Sequence, residues 1–215
     1  MKKNLTFYLI RHGRTVWNEQ GLLQGHGDSP LTEQGIQGAK LAGEALREVP
    51  FVAAYSSILQ RTIDTAKHVI GERYVPLFQH QGLNEQYFGL WEGIVIDTIR
   101  HTETYRQIQH DPANYTAETN QGETYDKLAE RAMGAVRDII QIHDKGNILL
   151  VSHGHTLRLL LAMFAGSTWQ NHRENPLIPS LLNTAINVVC YEQKEDEESG
   201  RFIIEKLNDA THLQK

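Results

Sequence analysis

Two short apolar runs, residues 5–10 and 148–151, each stop at a histidine followed by glycine, in Arg11-His12-Gly13 and Ser152-His153-Gly154. Such runs are too short for a helix of ordinary length and suit strands covered on both faces, as in a parallel sheet. Parallel strands need crossover connections, usually helical, and the intervening sequence supplies them. Thr32 reads as the N-cap of a helix over 32–49 that carries Ala39, Leu41, Ala42, Ala45 and Leu46. A strand over 51–55 precedes a helix in which Leu59, Ile63, Ala66 and Ile70 share a face. Leu128, Ala132, Ala135, Val136 and Ile139 form the inner stripe of a long helix over 123–143, and a further helix runs through Phe164. Residues 75–78, 184–191 and 202–207 complete the predicted strands, 94–110 contains a helix, and 111–122 shows no period. The expected class is α/β, a three-layer sandwich with a mostly parallel central sheet and helices on both faces. No linker or compositional shift divides the chain, so 1–215 is expected to form one domain.

Composition narrows the function classes. The 215 residues are 40% hydrophobic and 22% charged, a globular rather than disordered balance. A formal charge of −5 with no basic block argues against nucleic acid or an anionic membrane as partner. Lys2-Lys3 and the first apolar run imitate a secretory signal, but the run is shorter than the ~7–15 residues of such a segment and ends at Arg11. The apolar stretch 157–164 is interrupted by Arg158 and falls far short of the ~20 residues of a membrane span. The lone cysteine, Cys190, leaves no intrachain disulfide or cysteine-based zinc site, and a cytoplasmic setting fits. Gly25-x-Gly27 lacks the third glycine of a dinucleotide loop, and there is neither a Walker loop nor a Gly-x-Ser-x-Gly elbow. His153 and His155 have no third ligand at a recognisable spacing, so no metal is expected. His26, His68, His80, His101, His110, His143, His172 and His212 are scattered and expected on the surface or in loops.

In open α/β sheets ligands bind beyond the carboxyl ends of the strands. His12 and His153 lie at two such ends, Arg11 beside the first, and Arg61 in the first turn of the helix after Ser56-Ser57. Guanidinium groups, imidazoles and helix N-termini converging on one crevice describe an oxyanion site, phosphate above all. Plainer readings of the same residues are a structurally satisfied strand-end histidine and an arginine on a helix surface.

A series of blocks in one order resembles the histidine phosphatase superfamily, in its phosphoglycerate mutase-like branch. They are Arg11-His12-Gly13-Arg14-Thr15-Val16-Trp17-Asn18; Gln24-Gly25 with Asp28, Pro30-Leu31-Thr32 and Gly35; Ser56-Ser57 with Arg61 and Thr65-Ala66; Leu83-Asn84-Glu85 with Phe88-Gly89 and Trp91-Glu92-Gly93; and Val151-Ser152-His153-Gly154. The resemblance implies a phosphomonoester hydrolase that acts on a small phosphorylated metabolite through a phosphohistidine, without metal or cofactor. It makes His12 the nucleophile, Arg11, Arg61 and His153 the oxyanion clamp, and Glu85 the general acid and base, partly buried by Phe88 and Trp91. Asn18, Gln24, Gly25, Tyr87, Phe88 and Gly154 would contact substrate. A phosphoglycerate mutase and a non-catalytic phosphate-ester-binding protein are the alternatives. Residues 92–121 form the expected lid. They hold two basic residues, Arg100 and Arg106, against five acidic ones, Glu92, Asp97, Glu103, Asp111 and Glu118. That balance suits a bisphosphate poorly and favours the phosphatase, as does Gln86-Tyr87-Phe88-Gly89, where the glycolytic mutases carry a basic and aromatic run. A homodimer is expected only on general grounds; no feature of the sequence locates an interface.

Overall fold

The computed structural model describes residues 2–214; Met1 and Lys215, the ends of the expected domain, lie outside the described residues. One sheet contains β1 (Lys3–Arg11), β2 (Phe51–Ser56), β3 (Leu77–Gln79), β4 (Lys145–Ser152), β5 (Ile186–Gln193) and β6 (Arg201–Asp209), in the order β3-β2-β4-β1-β5-β6. The first four pair in parallel, while β5 runs antiparallel to both β1 and β6. The helices are α1 (Val16–Glu19), α2 (Glu33–Ala45), α3 (Gln60–Ile70), α4 (Ile96–Ile99), α5 (Glu103–His110), α6 (Tyr125–Ile142) and α7 (Gly154–Phe164).

Alternation along β1 divides the core. Leu5, Phe7 and Leu9 pack with α6 and α7, whereas Ile10 packs with α2 and α3 on the opposite face. The structure is the expected sandwich, with its mostly parallel sheet between two helical layers. Thr32 caps α2 as predicted, its side chain accepting the Gly35 N–H at 3.1 Å.

Residues 94–110 hold two helices rather than one, because Thr102 caps a second start by accepting the Tyr105 N–H at 3.2 Å. Residues 111–122 lack a period yet are firmly packed. The buried Tyr115 hydroxyl donates to Asn120 Oδ1 at 2.9 Å, and Asn120 Nδ2 donates to Phe88 O at 3.0 Å. An apolar cluster that includes Phe88, Trp91, Ile99, Ile108, Tyr125 and Leu159 fastens this region to α6 and α7. His172 and His212 depart from their expected surface positions: both are buried. The irregular chain after α7 folds back so that the His172 ring sits 4.8 Å from that of Tyr125. No helix among the described residues is long and apolar enough to cross a membrane.

Candidate active site

Sheet register brings the two histidines together. β1 and β4 align Ile10 with Val151 and Arg11 with Ser152. The next residue on each strand is a histidine, and the rings of His12 and His153 lie 5.3 Å apart. β2 ends on the other side of β4, with Ser56 opposite Val151, so Ser57 reaches His153 Nε2 at 2.8 Å.

His12 Nδ1 stands 2.7 Å from Gly13 O. A carbonyl only accepts, so Nδ1 carries the proton and Nε2 keeps its lone pair. Burial, then Arg61 and Arg11, holds the imidazole pKa well below its usual 6.5. His153 is held down in the same way, by burial and then by Arg61 and His12. Both rings are therefore neutral at pH 7.

Arg61 is buried and anchored through both terminal nitrogens: NH1 donates to Gly27 O at 2.9 Å and Asp28 Oδ1 at 3.0 Å, and NH2 to Gly25 O at 2.5 Å. Arg11 NH1 donates to Leu181 O at 2.6 Å. Arg11 Nε, Arg61 Nε and His153 Nδ1 are buried without a hydrogen-bond partner. Buried polar groups are nearly always paired. Unpaired nitrogens gathered near a neutral histidine, two of them on cations, form an anion-binding environment.

Glu85 is buried at the N-terminus of α7. Its Oε1 accepts from Gln86 N at 2.9 Å, Thr156 N at 3.0 Å and Thr156 Oγ1 at 3.1 Å. Oε2 accepts only the His155 N–H, at 3.0 Å, and keeps accepting capacity to spare. The start of the helix thus holds this carboxylate, where the expectation from sequence is partial burial by Phe88 and Trp91.

A cavity of about 250 Å³ opens here, lined by Arg11, His12, Asn18, Glu85, Phe88 and Gly154 among others. Arg61 and His153 do not form its wall, but they lie close enough to bias the His12 ring electrostatically or pack against it. Asn18 Oδ1 accepts the Thr15 N–H at 3.1 Å, which fixes the amide and leaves Nδ2 as an unused donor. Gln24 also lines the cavity, though Oε1 already accepts from Thr15 Oγ1 at 2.8 Å and Nε2 donates to Ser29 Oγ at 2.9 Å.

Gly25 and Tyr87, expected to contact substrate, do not line the cavity. Gly25 serves as backbone: its carbonyl holds Arg61, and a Cβ there would come within 2.4 Å of Gln86 O. Tyr87 points outward, 41% exposed between the buried Gln86 and Phe88, with its ring 5.1 Å from that of His26.

The acidic balance of 92–121 is not the balance of the cavity. The lining contributed by this segment is Ile96, Tyr105 and Gln109, none of them acidic. Glu92 is committed elsewhere, accepting the N–H groups of Gly25, His26, Gly27 and Phe88, each at 3.0 Å. Asp97 and Glu103 pair with Arg100 and Arg106 within their own helical turns. The acidic residues of 92–121 therefore do not weigh against a bisphosphate in the cavity.

Sequence reasoning missed Arg158, Arg173 and His155, all of which line the cavity. Arg158 left a signal, a lone charge in an otherwise apolar helical stretch; Arg173 left none. Among the described residues no group of three His, Cys, Asp or Glu is placed to hold a metal ion.

Comparison with known proteins identifies the class to which this fold and site belong. Residues 7–204 match the histidine phosphatase superfamily (branch 1), and the chain belongs to that superfamily. Its relatives include phosphatases and mutases. It is 32% identical over 209 residues to a probable phosphoglycerate mutase GpmB of Yersinia pestis (strain Pestoides F), across 97% of this chain and 95% of that protein. The solved structure of YhfR from Bacillus stearothermophilus superposes with a TM-score of 0.86 at 32% identity, covering 97% of this chain and 99% of its own. The alpha-ribazole phosphatase of Shigella flexneri superposes with a TM-score of 0.79 at 28% identity, covering 95% and 96%.

Proposed function

We propose that this protein is a phosphomonoester hydrolase that works through a phosphohistidine on His12 and acts on a small phosphorylated metabolite. The observation that carries the reading is a neutral His12, its Nε2 lone pair unprotonated, among the unpaired nitrogens of Arg11, Arg61 and His153 and in one cavity with Glu85. Nε2 attacks phosphorus, the ester P–O bond breaks, and the leaving oxygen takes a proton from Glu85 Oε2. Arg11, Arg61 and His153 hold the equatorial oxygens as charge redistributes. For His153 this requires the Ser57 hydroxyl to donate to Nε2, so that the ring proton sits on Nδ1. Water then loses a proton to the Glu85 carboxylate and attacks phosphorus, the N–P bond breaks, and inorganic phosphate leaves. The guanidinium groups supply the positive charge, so the scheme uses neither metal nor cofactor. Residues 92–121 act as the cover, through Ile96, Tyr105 and Gln109. The cytoplasm is the proposed setting, in keeping with the lone Cys190.

A mutase is the second reading, favoured by similarity to a probable phosphoglycerate mutase and by the cationic side chains in the cavity wall. Assay of the pure protein in EDTA, with p-nitrophenyl phosphate hydrolysis set against interconversion of 3- and 2-phosphoglycerate, separates them. His12→Ala is the blank. His12-dependent hydrolysis without mutase turnover is expected. Dominant mutase turnover would overturn the hydrolase, and no His12-dependent activity on a broad panel of phosphoesters would leave a binding protein.

A further inference from the structure

Arg158 and Arg173 stand in the cavity wall, and among the described residues neither forms an ion pair. Arg158 lies four residues beyond Gly154 on α7, so both fall on one helix face, separated by ~6 Å along the axis. Its side chain makes no hydrogen bond or ion pair among the described residues, and its Nε is buried without a partner. Arg173 arrives from a 3₁₀ turn, His172–Glu174, and its side chain meets only neutral polar groups within hydrogen-bond distance. NH1 donates to Gln109 Oε1 at 3.4 Å and NH2 to the Tyr125 hydroxyl at 3.2 Å; NH2 also stands 3.2 Å from His155 Nδ1. Arg173 Nε too is buried and unpaired.

Among the described residues Glu85 is the sole acidic one lining the cavity, and the first amides of α7 donate to both of its oxygens, while neither arginine bonds to it. Burial lowers the pKa of Arg158, and the charge of Arg173 lowers it further, a sign of like charges crowded together. Partly buried cations without a counter-charge are costly, and an anion between them removes that cost. A purely structural role would account for the two terminal nitrogens of Arg173, which brace Gln109 and Tyr125. It would account for neither Arg158 nor the two unpaired Nε groups.

We propose that Arg158 and Arg173 form a second anion subsite, and that the substrate is a phosphomonoester carrying another anionic group, a carboxylate or a second phosphate, a few atoms from the reacting phosphoryl group. The proposal rests on the hydrolase reading for the identity of the first phosphoryl group. A cavity of about 250 Å³ restricts such a substrate to a small skeleton.

The test compares kcat/KM for phosphoserine and 3-phosphoglycerate (carboxylate), 2,3-bisphosphoglycerate (second phosphate) and glycerol 3-phosphate (single anion), in wild type, Arg158→Gln, Arg173→Gln and Arg158→Lys. Wild type should prefer one of the doubly anionic classes, and whichever it prefers identifies the second group. Either glutamine variant should reduce that preference ~10-fold or more, chiefly through KM, as expected for loss of a charge-assisted hydrogen bond. Arg158→Lys should restore part of it. No wild-type preference, or a preference that moves less than ~2-fold in both glutamine variants, overturns the subsite. Calorimetric binding of phosphonoacetate against methylphosphonate needs no turnover. Arg158-dependent preference for phosphonoacetate in a protein without His12-dependent hydrolysis would keep the subsite and reject the hydrolase. Hydrolysis without Arg158-dependent discrimination would do the reverse.

Discussion

At the inner end of the cavity, the proposed reactive groups hang from strand ends and a helix N-terminus. Arg11 and His12 follow β1, His153 follows β4, and the first amides of α7 hold Glu85. At the outer end, Arg158 lies further along α7, Arg173 on an irregular turn and Gln109 on α5. Register between neighbouring strands allows no slack, because a one-residue slip turns every side chain to the other face. Helix phase and loop packing are freer, since a side chain there can change without disturbing the sheet. The proposed chemistry thus sits where the fold is least adjustable, and the proposed discrimination between substrates where it is most so.

The largest expected effects fall at the inner end. His12→Ala should abolish turnover on every phosphoester, read as kcat/KM in EDTA against wild type. Glu85→Gln should lower kcat/KM for glycerol 3-phosphate by ~10²–10⁴. The loss should be distinctly smaller for p-nitrophenyl phosphate, whose leaving group needs no protonation. Equal losses on the two esters would remove Glu85 from the role of acid. Ser57→Ala takes the hydrogen bond from His153 Nε2 and should cost ~10-fold, by the same factor on all substrates. This uniform loss is what separates the inner end from Arg158, where the ratio between substrates changes. A substrate-dependent Ser57 effect would break the comparison.

The remaining effect is on stability, and leaves the ratio between substrates untouched. His12, His153 and His155 are held neutral by burial, and burial pulls His172 down to about 3. Between these depressed values and 6.5, the unfolded chain binds protons that the folded chain refuses. Stability is therefore full above about pH 6.5 and is lost as pH falls below it, each histidine adding up to ~1.4 kcal/mol per pH unit of slope. Urea unfolding at pH 7 and pH 5 should show this loss, and His172→Asn should flatten the dependence while leaving the active-site histidines in place.

What could be read from the sequence follows the same division. Apolar runs ending in His-Gly announce β1 and β4 because a doubly covered strand has little choice of residues. Thr32 and the α6 stripe are visible because capping and helical period are local. The break between α4 and α5 turns on Thr102, one of several threonines any of which would suit a cap. Tyr87 and Gly25 sit amid recognisable blocks, yet in-out alternation faces Tyr87 away, and crowding gives Gly25 a purely backbone role. The acidic residues of 92–121 were visible as charges, but their direction was not. His172 and Arg173 owe their positions to chain that folds back without periodicity, so nothing local marks them.

Glu92 joins parts of the chain that the sequence keeps far apart. Its two oxygens gather the amides of Gly25, His26 and Gly27 and that of Phe88. In the language of chain topology it is a non-covalent cross-link. The loop it closes onto Gly25 spans 67 positions, and ordering that loop is a conformational-entropy cost that folding must offset. Gly25 and Gly27 also present the carbonyls that hold Arg61, while Phe88 belongs to the cluster that fastens the cover. One carboxylate thus ties the loop that anchors Arg61 to the segment that packs under residues 92–121.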